Sequence, residues 1–146
     1  MNDRLKEIQS IFKQGLLVFD PIFIRNGFVY YDGDCGQGSG GFFVSGMFRK
    51  ESREFHLSYR YTLGNIFYRV DNFSLAHETY MKFLGVKDRS RYPSFSHDSI
   101  EIFYNLAYDI ENFCQDFLFG NGQSFIKFAK QYQQNPDIFK GFNQLP

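Results

Sequence analysis

The sequence lacks several features that would assign it to a familiar class of protein. It has no tryptophan, two cysteines among 146 residues, and no net charge, because sixteen Lys and Arg balance sixteen Asp and Glu. Two cysteines do not make a disulfide framework, so we expect a reducing, cytoplasmic location. Zero net charge argues against a dedicated nucleic-acid binder, whose affinity comes mainly from neutralising phosphates.

Long apolar runs are also missing. The longest, Gly15 to Ile24 with Asp20 and Pro21 inside it, falls far short of the ~20 residues that a transmembrane helix needs. The first residues do not follow the pattern of a secretory signal peptide. We therefore expect no membrane partner, and the length and an apolar fraction of 43% predict a single folded domain over residues 1–146.

Aromatic residues are abundant instead, with 20 Phe and 10 Tyr making up 21% of the chain. These are more rings than a core of this size readily hides, so some are expected at the surface. Exposed rings are enriched where proteins meet partners, and they are compatible with a homodimer. The alternative is a Phe-rich composition with rings half-shielded by their neighbours.

The first half of the chain predicts a sheet. A helix over 1–14 that stops at Gly15 is followed by a strand over 16–24 and a turn at Asn26-Gly27. The segment 32–41 holds five glycines and predicts a flexible hairpin loop. Further strands are predicted over 28–31, 42–49, 54–61 and 65–70, with Phe55, Leu57, Tyr59 and Tyr61 pointing into the core.

The second half predicts three helices. They cover 74–84 with Ser74 as cap and Gly85 as stop, 98–119 with a capping box at Asp98, and 123–133. Strands followed by helices are typical of the α+β class. We predict an antiparallel meander of four to five strands, mainly in 16–70. An N-terminal helix and three C-terminal helices, mainly in 74–133, are predicted to pack on one face.

Few residues indicate a catalytic, metal-binding or phosphate-binding site. The glycine-rich segment is followed by a strand, whereas a phosphate loop needs a helix and a Gly-Lys-Ser or Gly-Lys-Thr sequence. The three histidines share no ligand spacing, and His77 is expected to be hydrogen-bonded and structural. Cys114 is expected to be a buried small hydrophobe. We predict no metal, no cofactor and no catalytic residue, and the balance favours a protein that is not an enzyme.

An acidic surface on the long helix is the leading functional prediction. No Lys or Arg occurs from Tyr92 to Ile126, and Asp98, Asp109 and Asp116 fall within about 20° on a helix. Tyrosines flank this line, which favours docking of a basic protein, although a merely solvated face is the alternative. The predicted partner-binding residues are Glu101, Tyr104, Tyr108, Asp109, Asn112 and Asp116.

Three segments prompt a comparison with known proteins: Asn26-Gly27-Phe28, residues 63–68 and residues 77–81. With these segments, the overall organisation resembles small bacterial α+β proteins that include immunity proteins found beside polymorphic toxins. The resemblance implies a stoichiometric binding protein without catalysis, with an acidic binding face.

Two other functions remain open. One is a small-ligand or nucleotide-handling protein, including an enzyme, with a pocket near the glycine-rich segment formed by Cys35, His56, Arg60 and Arg69. The other is stacking of single-stranded RNA on the aromatic and arginine-bearing sheet face, which the neutral charge disfavours.

Overall fold

The chain forms five helices and five strands within residues 3–94 and 96–140, the part that this computed structural model describes. All strands pair with their sequence neighbours in one antiparallel sheet of order β1-β2-β3-β4-β5, which confirms the predicted α+β class and meander. The elements are α1 (Asp3–Arg25), β1 (Val29–Gly38), β2 (Gly41–Lys50), β3 (Arg53–Tyr59), β4 (Leu63–Val70), β5 (Phe73–Ala76), α2 (His77–Leu84), α3 (Ser99–Phe113), α4 (Gln115–Leu118) and α5 (Gln123–Gln134).

Helix α1 replaces both the short helix and the strand predicted before residue 25, so the strand over 16–24 is wrong. Residues 1 and 2 of the predicted helix lie outside the described residues. Gly15 does not end the helix. It lies where α1 packs against α3, since a Cβ atom there would collide with the Phe103 ring. The buried positions keep a helical period throughout; they are Ile8, Phe12, Gly15, Phe19, Ile22 and Phe23.

The glycine-rich segment, for which a flexible loop is predicted, forms part of the sheet. Residues 32–38 extend β1, and the chain reverses within Ser39 and Gly40, since Gly38 pairs directly with Gly41. The register of the β1–β2 ladder shifts between residues 32 and 35, which marks a β-bulge. The sheet therefore spans 29–76 rather than 16–70.

The far edge of the sheet also differs from the prediction. Residues 73–76 pair with β4 as strand β5, so Ser74 does not cap a helix and α2 begins at His77. Gly85 ends α2 with φ of 73°, which confirms the predicted stop. A further strand is therefore present where helix was expected.

Aromatic rings fill the core between the sheet and helices α1 and α3. Phe23 of α1 stacks on Phe48 of β2 with ring centroids 4.4 Å apart, and Phe103 of α3 lies 6.0 Å from Tyr59 of β3. Phe55, Leu57 and Tyr59 of β3 are buried as predicted, whereas Tyr61 lies beyond the end of the strand and is 71% exposed.

The C-terminal helices are broken where a single long helix is predicted. Asp98 caps α3 by accepting hydrogen bonds from the backbone N–H groups of Ile100 and Glu101, as expected. The helix then ends at Phe113, and the short helix α4 follows Cys114. Helix α5 covers the predicted segment to within one residue at its end.

Candidate functional site

The six residues predicted to form an acidic docking surface lie in three different surroundings. Glu101, Tyr104 and Asn112 are exposed on α3, and Tyr104 is 60% exposed. Tyr108 is half-buried, Asp109 is buried, and Asp116 is half-buried in α4. The predicted surface is therefore only partly present.

Asp109 is fully enclosed, and the prediction that it lies on the solvated face is wrong. Its Oδ1 accepts a hydrogen bond of 2.7 Å from the backbone N–H of Arg91, and Oδ2 accepts one of 3.0 Å from Tyr92. Ile102, seven residues earlier and within about 20° on the same helix, is also buried. The carboxylate thus belongs to the core stripe and holds the connection between α2 and α3.

His77 joins the same buried network. Its Nε2 lies 2.9 Å from Oδ2 of Asp109, and its Nδ1 lies 2.7 Å from the Tyr68 hydroxyl. The thiol of Cys114 donates to that hydroxyl at 3.6 Å. The predictions of a structural His77 and a buried Cys114 are confirmed. Burial raises the pKa of the Tyr68 hydroxyl and of the Cys114 thiol, so both keep their protons at neutral pH.

Arginines of the chain itself cover the flank of α3. The guanidinium of Arg91 lies 3.5 Å from the Tyr108 ring centroid, and that of Arg89 lies 5.6 Å from the Phe113 ring. A third arginine, Arg25, approaches Glu111 at 3.9 Å. These positive charges offset the carboxylates, so the flank is not a uniformly acidic surface.

Asp116 also has a role within the fold. Its carboxylate accepts hydrogen bonds from the backbone N–H groups of Gly122 at 3.2 Å and Phe125 at 3.0 Å, at the start of α5. A carboxylate in this position satisfies otherwise unpaired N–H groups of the first helical turn. Asp116 therefore stabilises α5, and its negative charge is used locally.

The four residues of the alternative ligand site are not brought together. Cys35 accepts a hydrogen bond of 3.5 Å from Gln9 and so faces α1, whereas His56 stacks on Phe67 with centroids 4.4 Å apart. His56 also lies 2.7 Å from Glu54. Arg69 donates to the backbone carbonyl of Asp71. The prediction of one pocket containing Cys35, His56, Arg60 and Arg69 is wrong.

Of these four residues, Arg60 lines one cavity, which we name the sheet cleft, whereas Cys35 lines a different one. The cleft has a volume of about 490 Å³ and contains side chains from four strands and the β3–β4 turn. Proximity of Arg60 to the glycine-rich segment is as expected, since Gly38 and Gly40 lie against its guanidinium. The lining residues are Asp34, Phe43, Ser45, Ser58, Arg60, Thr62, Gly64 and Asn65.

A second and larger cavity, which we name the β1 groove, runs between α1 and β1. Its volume is about 1110 Å³, and its lining includes Leu17, Ile24, Asp20 and Asp32. Leu17 and Ile24 are 65% and 61% exposed. On β1 itself, Val29 and Tyr31 are also exposed. Among the described residues, four of the eight large exposed hydrophobic side chains therefore lie on or beside this strand.

The β1 groove was missed by sequence reasoning because the segment 16–24 was assigned to a strand. As part of a helix, Leu17 and Ile24 are seven residues apart and so share one side, away from the buried stripe. That spacing is the signal that could have revealed the groove.

Within the described residues, no three His, Cys, Asp or Glu side chains are placed to hold a metal ion. The same part of the chain has no helix with the length and apolarity required to cross a membrane. No family model matches the sequence, and the searches of curated proteins and of solved structures found no match to it. Function is therefore inferred from the surfaces of this chain.

Proposed function

We propose that the protein is a non-catalytic binding protein that docks a basic protein partner along β1 and the β1 groove. The observation that carries this proposal is the set of exposed apolar side chains around a ten-residue edge strand. Helix α3, where the acidic surface is predicted, offers fewer free groups because Asp109 and Asp116 are used inside the fold.

The edge of the sheet supplies a backbone template for the partner. Strand β1 is the first strand of the sheet and pairs only with β2 among the described residues. Its outer backbone groups are therefore available to an added strand. Such a strand would cover Leu17 and Ile24 of α1 and also Val29 and Tyr31 of β1.

Charge favours a basic partner. Asp20 and Asp32 line the β1 groove, and Lys13 is the one cation among its lining residues. Opposite charges speed encounter and disfavour wrong partners. The resemblance to immunity proteins implies the same kind of function, a stoichiometric complex with a partner protein.

The proposal includes a cytoplasmic location, which suits the free thiols of Cys35 and Cys114. It also includes packing of all the helices on one sheet face.

The experiment uses a ten-residue peptide of alternating Lys and Val, matched to the length of β1. Its affinity is measured by fluorescence anisotropy at low and physiological salt. N-methylation of alternate residues removes the N–H groups needed for strand pairing while keeping the charge. We expect methylation to weaken binding about tenfold. Equal binding of both peptides would show that only charge attracts them and would overturn docking at the strand edge.

Matched charge reversals locate the surface. The double variant Asp20→Lys/Asp32→Lys is expected to reduce peptide affinity about tenfold or more. The control, Glu101→Lys/Glu111→Lys, reverses two exposed carboxylates on α3 and is expected to change the affinity less than about twofold. A loss confined to the α3 variant would overturn the β1 site.

Docking of a basic partner on α3 is the second candidate. The exposed ring of Tyr104 beside Glu101 favours it, because tyrosine provides large contact area at low entropic cost. The α3 variant described above, with Tyr104→Ala added, tests it. Loss of affinity in that variant with full affinity in the β1 variant would move the binding surface to α3.

A further inference from the structure

We propose that the sheet cleft is a binding site for a small planar anion that also carries a hydrogen-bond donor. This inference does not rest on the β1 groove, with which the cleft shares one lining residue, Ser45. Its volume of about 490 Å³ lies within the range of ~300–1,000 Å³ that is usual for small-molecule sites. Three features of the cleft define the ligand.

The first feature is a guanidinium without a carboxylate partner. Among the described residues, no Asp or Glu forms an ion pair with Arg60. The β1–β2 turn packs directly against this side chain, because a Cβ atom at Gly40 would collide with the guanidinium. The guanidinium of Arg60 thus lies against the glycine backbone, and its charge has no carboxylate partner among the described residues. A planar guanidinium binds carboxylate and phosphate groups well.

The second feature is an aromatic surface next to that charge. The guanidinium carbon of Arg60 lies 5.8 Å from the centroid of the Phe43 ring, and Phe43 is half-buried in the cleft. A flat ring provides a stacking surface for a planar ligand. Charge and ring together favour an anion attached to a planar group over a bare ion.

The third feature is a polar floor that the sheet holds rigidly. Ser45 donates to the backbone carbonyl of Asp34 at 3.1 Å and accepts from its N–H at 2.9 Å. Ser58 donates to the carbonyl of Gly64 at 3.1 Å, and Asn65 donates to Ser58 at 3.3 Å. These bonds leave the carboxylate of Asp34 as an acceptor for a ligand N–H or O–H group.

Both irregularities of the sheet lie beside this cleft. The β1–β2 register shifts between residues 32 and 35, and the β3–β4 register shifts between residues 56 and 58. Asn65 has φ of 51°, a left-handed conformation that is costly for a residue other than glycine. Bulges and strained residues often re-aim side chains at functional sites. Here they place Asp34, Ser58 and Asn65 around one cavity.

The ligand chemistry has two common sources, which separate probes distinguish. Adenosine monophosphate carries a phosphate, a planar base and hydroxyl donors, whereas 4-aminobenzoate carries a carboxylate, a ring and an amine. Inorganic phosphate has the charge without the ring. Each probe is titrated into the 146-residue chain to about 5 mM, and binding is followed by amide chemical shifts. We expect saturable shifts in residues 43–45 and 58–65 for at least one ring-bearing probe and weaker binding of phosphate.

Variants assign that binding to the cleft. Arg60→Ala is expected to weaken the bound probe about tenfold or more, and Phe43→Leu about threefold or more, with unchanged thermal unfolding. Arg69→Ala is the control, because Arg69 lies outside the lining of the cleft on the same sheet and donates a hydrogen bond to the backbone carbonyl of Asp71. Binding of neither ring-bearing probe, phosphate binding as tight as theirs, or equal loss in the Arg60 and Arg69 variants would each overturn the proposal.

Discussion

Asp109 in α3 and Asp32 in β1 carry the same side chain in opposite surroundings. Asp109 has no exposed surface and is bound by His77 and by two backbone N–H groups. Asp32 is exposed beside the bulge of an edge strand and lines an open groove. One carboxylate organises the interior, whereas the other gives negative charge to an exposed groove.

The hydrogen-bond donors around a carboxylate distinguish acids that stabilise the fold from acids that stay available at the surface. A buried carboxylate needs several hydrogen bonds to offset its lost hydration, and Asp109 has them. Asp116 is an intermediate case, with two backbone donors at the start of α5. Helical spacing ranks Asp109 and Asp116 alike, but their surroundings assign them to different tasks.

The largest effect on the free energy of unfolding is expected for the buried carboxylate, Asp109. Asp109→Ala removes the acceptor for the N–H groups of Arg91 and Tyr92 and leaves His77 without its carboxylate. We expect the free energy of unfolding to fall by about 3–5 kcal/mol, as when one partner of a buried polar pair is removed. Urea unfolding followed by circular dichroism measures the change.

Glu101→Ala is the control for that variant, because Glu101 is an exposed carboxylate on the same helix. We expect it to change the unfolding free energy by less than about 0.5 kcal/mol. A loss below about 1 kcal/mol for Asp109→Ala would contradict the structural role that the network assigns to this residue.

A second prediction concerns alkaline pH in the same network. Burial raises the pKa of Tyr68 and of Cys114 above their ordinary values of 10.0 and 9.0, so the folded protein keeps both protons longer than the unfolded chain does. Deprotonation then favours unfolding. The stability that these two protonated groups contribute is fully present below about pH 9. It is lost as the pH rises, by up to about 1.4 kcal/mol of unfolding free energy per pH unit for each group.

Urea unfolding at about pH 8 and about pH 10.5 tests this linkage. In the variant Tyr68→Phe, we expect a smaller loss of stability between the two pH values than in the wild type, whatever its stability at the lower pH. Tyr104→Phe removes an exposed hydroxyl and should leave the pH slope unchanged. Identical slopes for wild type and Tyr68→Phe would refute the shifted titration of Tyr68.

Elements with strong local signals were predictable from the sequence. Alternation of apolar residues in 54–59 identified the core face of β3, and short turns identified the meander. Asp98 and Gly85 marked helix ends through bonds within one turn of the chain. In each case the structure depends on residues close in sequence.

The wrong predictions concern elements whose structure depends on contacts between segments that are distant in sequence. The apolar run 16–24 suits either a strand or a buried helix, and packing against Phe103 at Gly15 selects the helix. Asp109 becomes buried because backbone N–H groups at residues 91 and 92 meet it, a contact that helix angles alone do not show. Both candidate cavities depend on such contacts between segments, so the candidate site was less predictable than the fold class.

The smallest effect on the free energy of unfolding is expected for the exposed carboxylates of the β1 groove. The variant Asp20→Lys/Asp32→Lys reverses two carboxylates that form no ion pair among the described residues, although burial and the charge of Asp32 raise the pKa of the neighbouring Tyr30 hydroxyl. We expect its unfolding free energy to stay within about 0.5 kcal/mol of the wild type. Since the same variant is expected to lose affinity for a basic peptide, it separates binding from folding. A destabilisation above about 1 kcal/mol would place these acids, like Asp109, among the groups that hold the fold together.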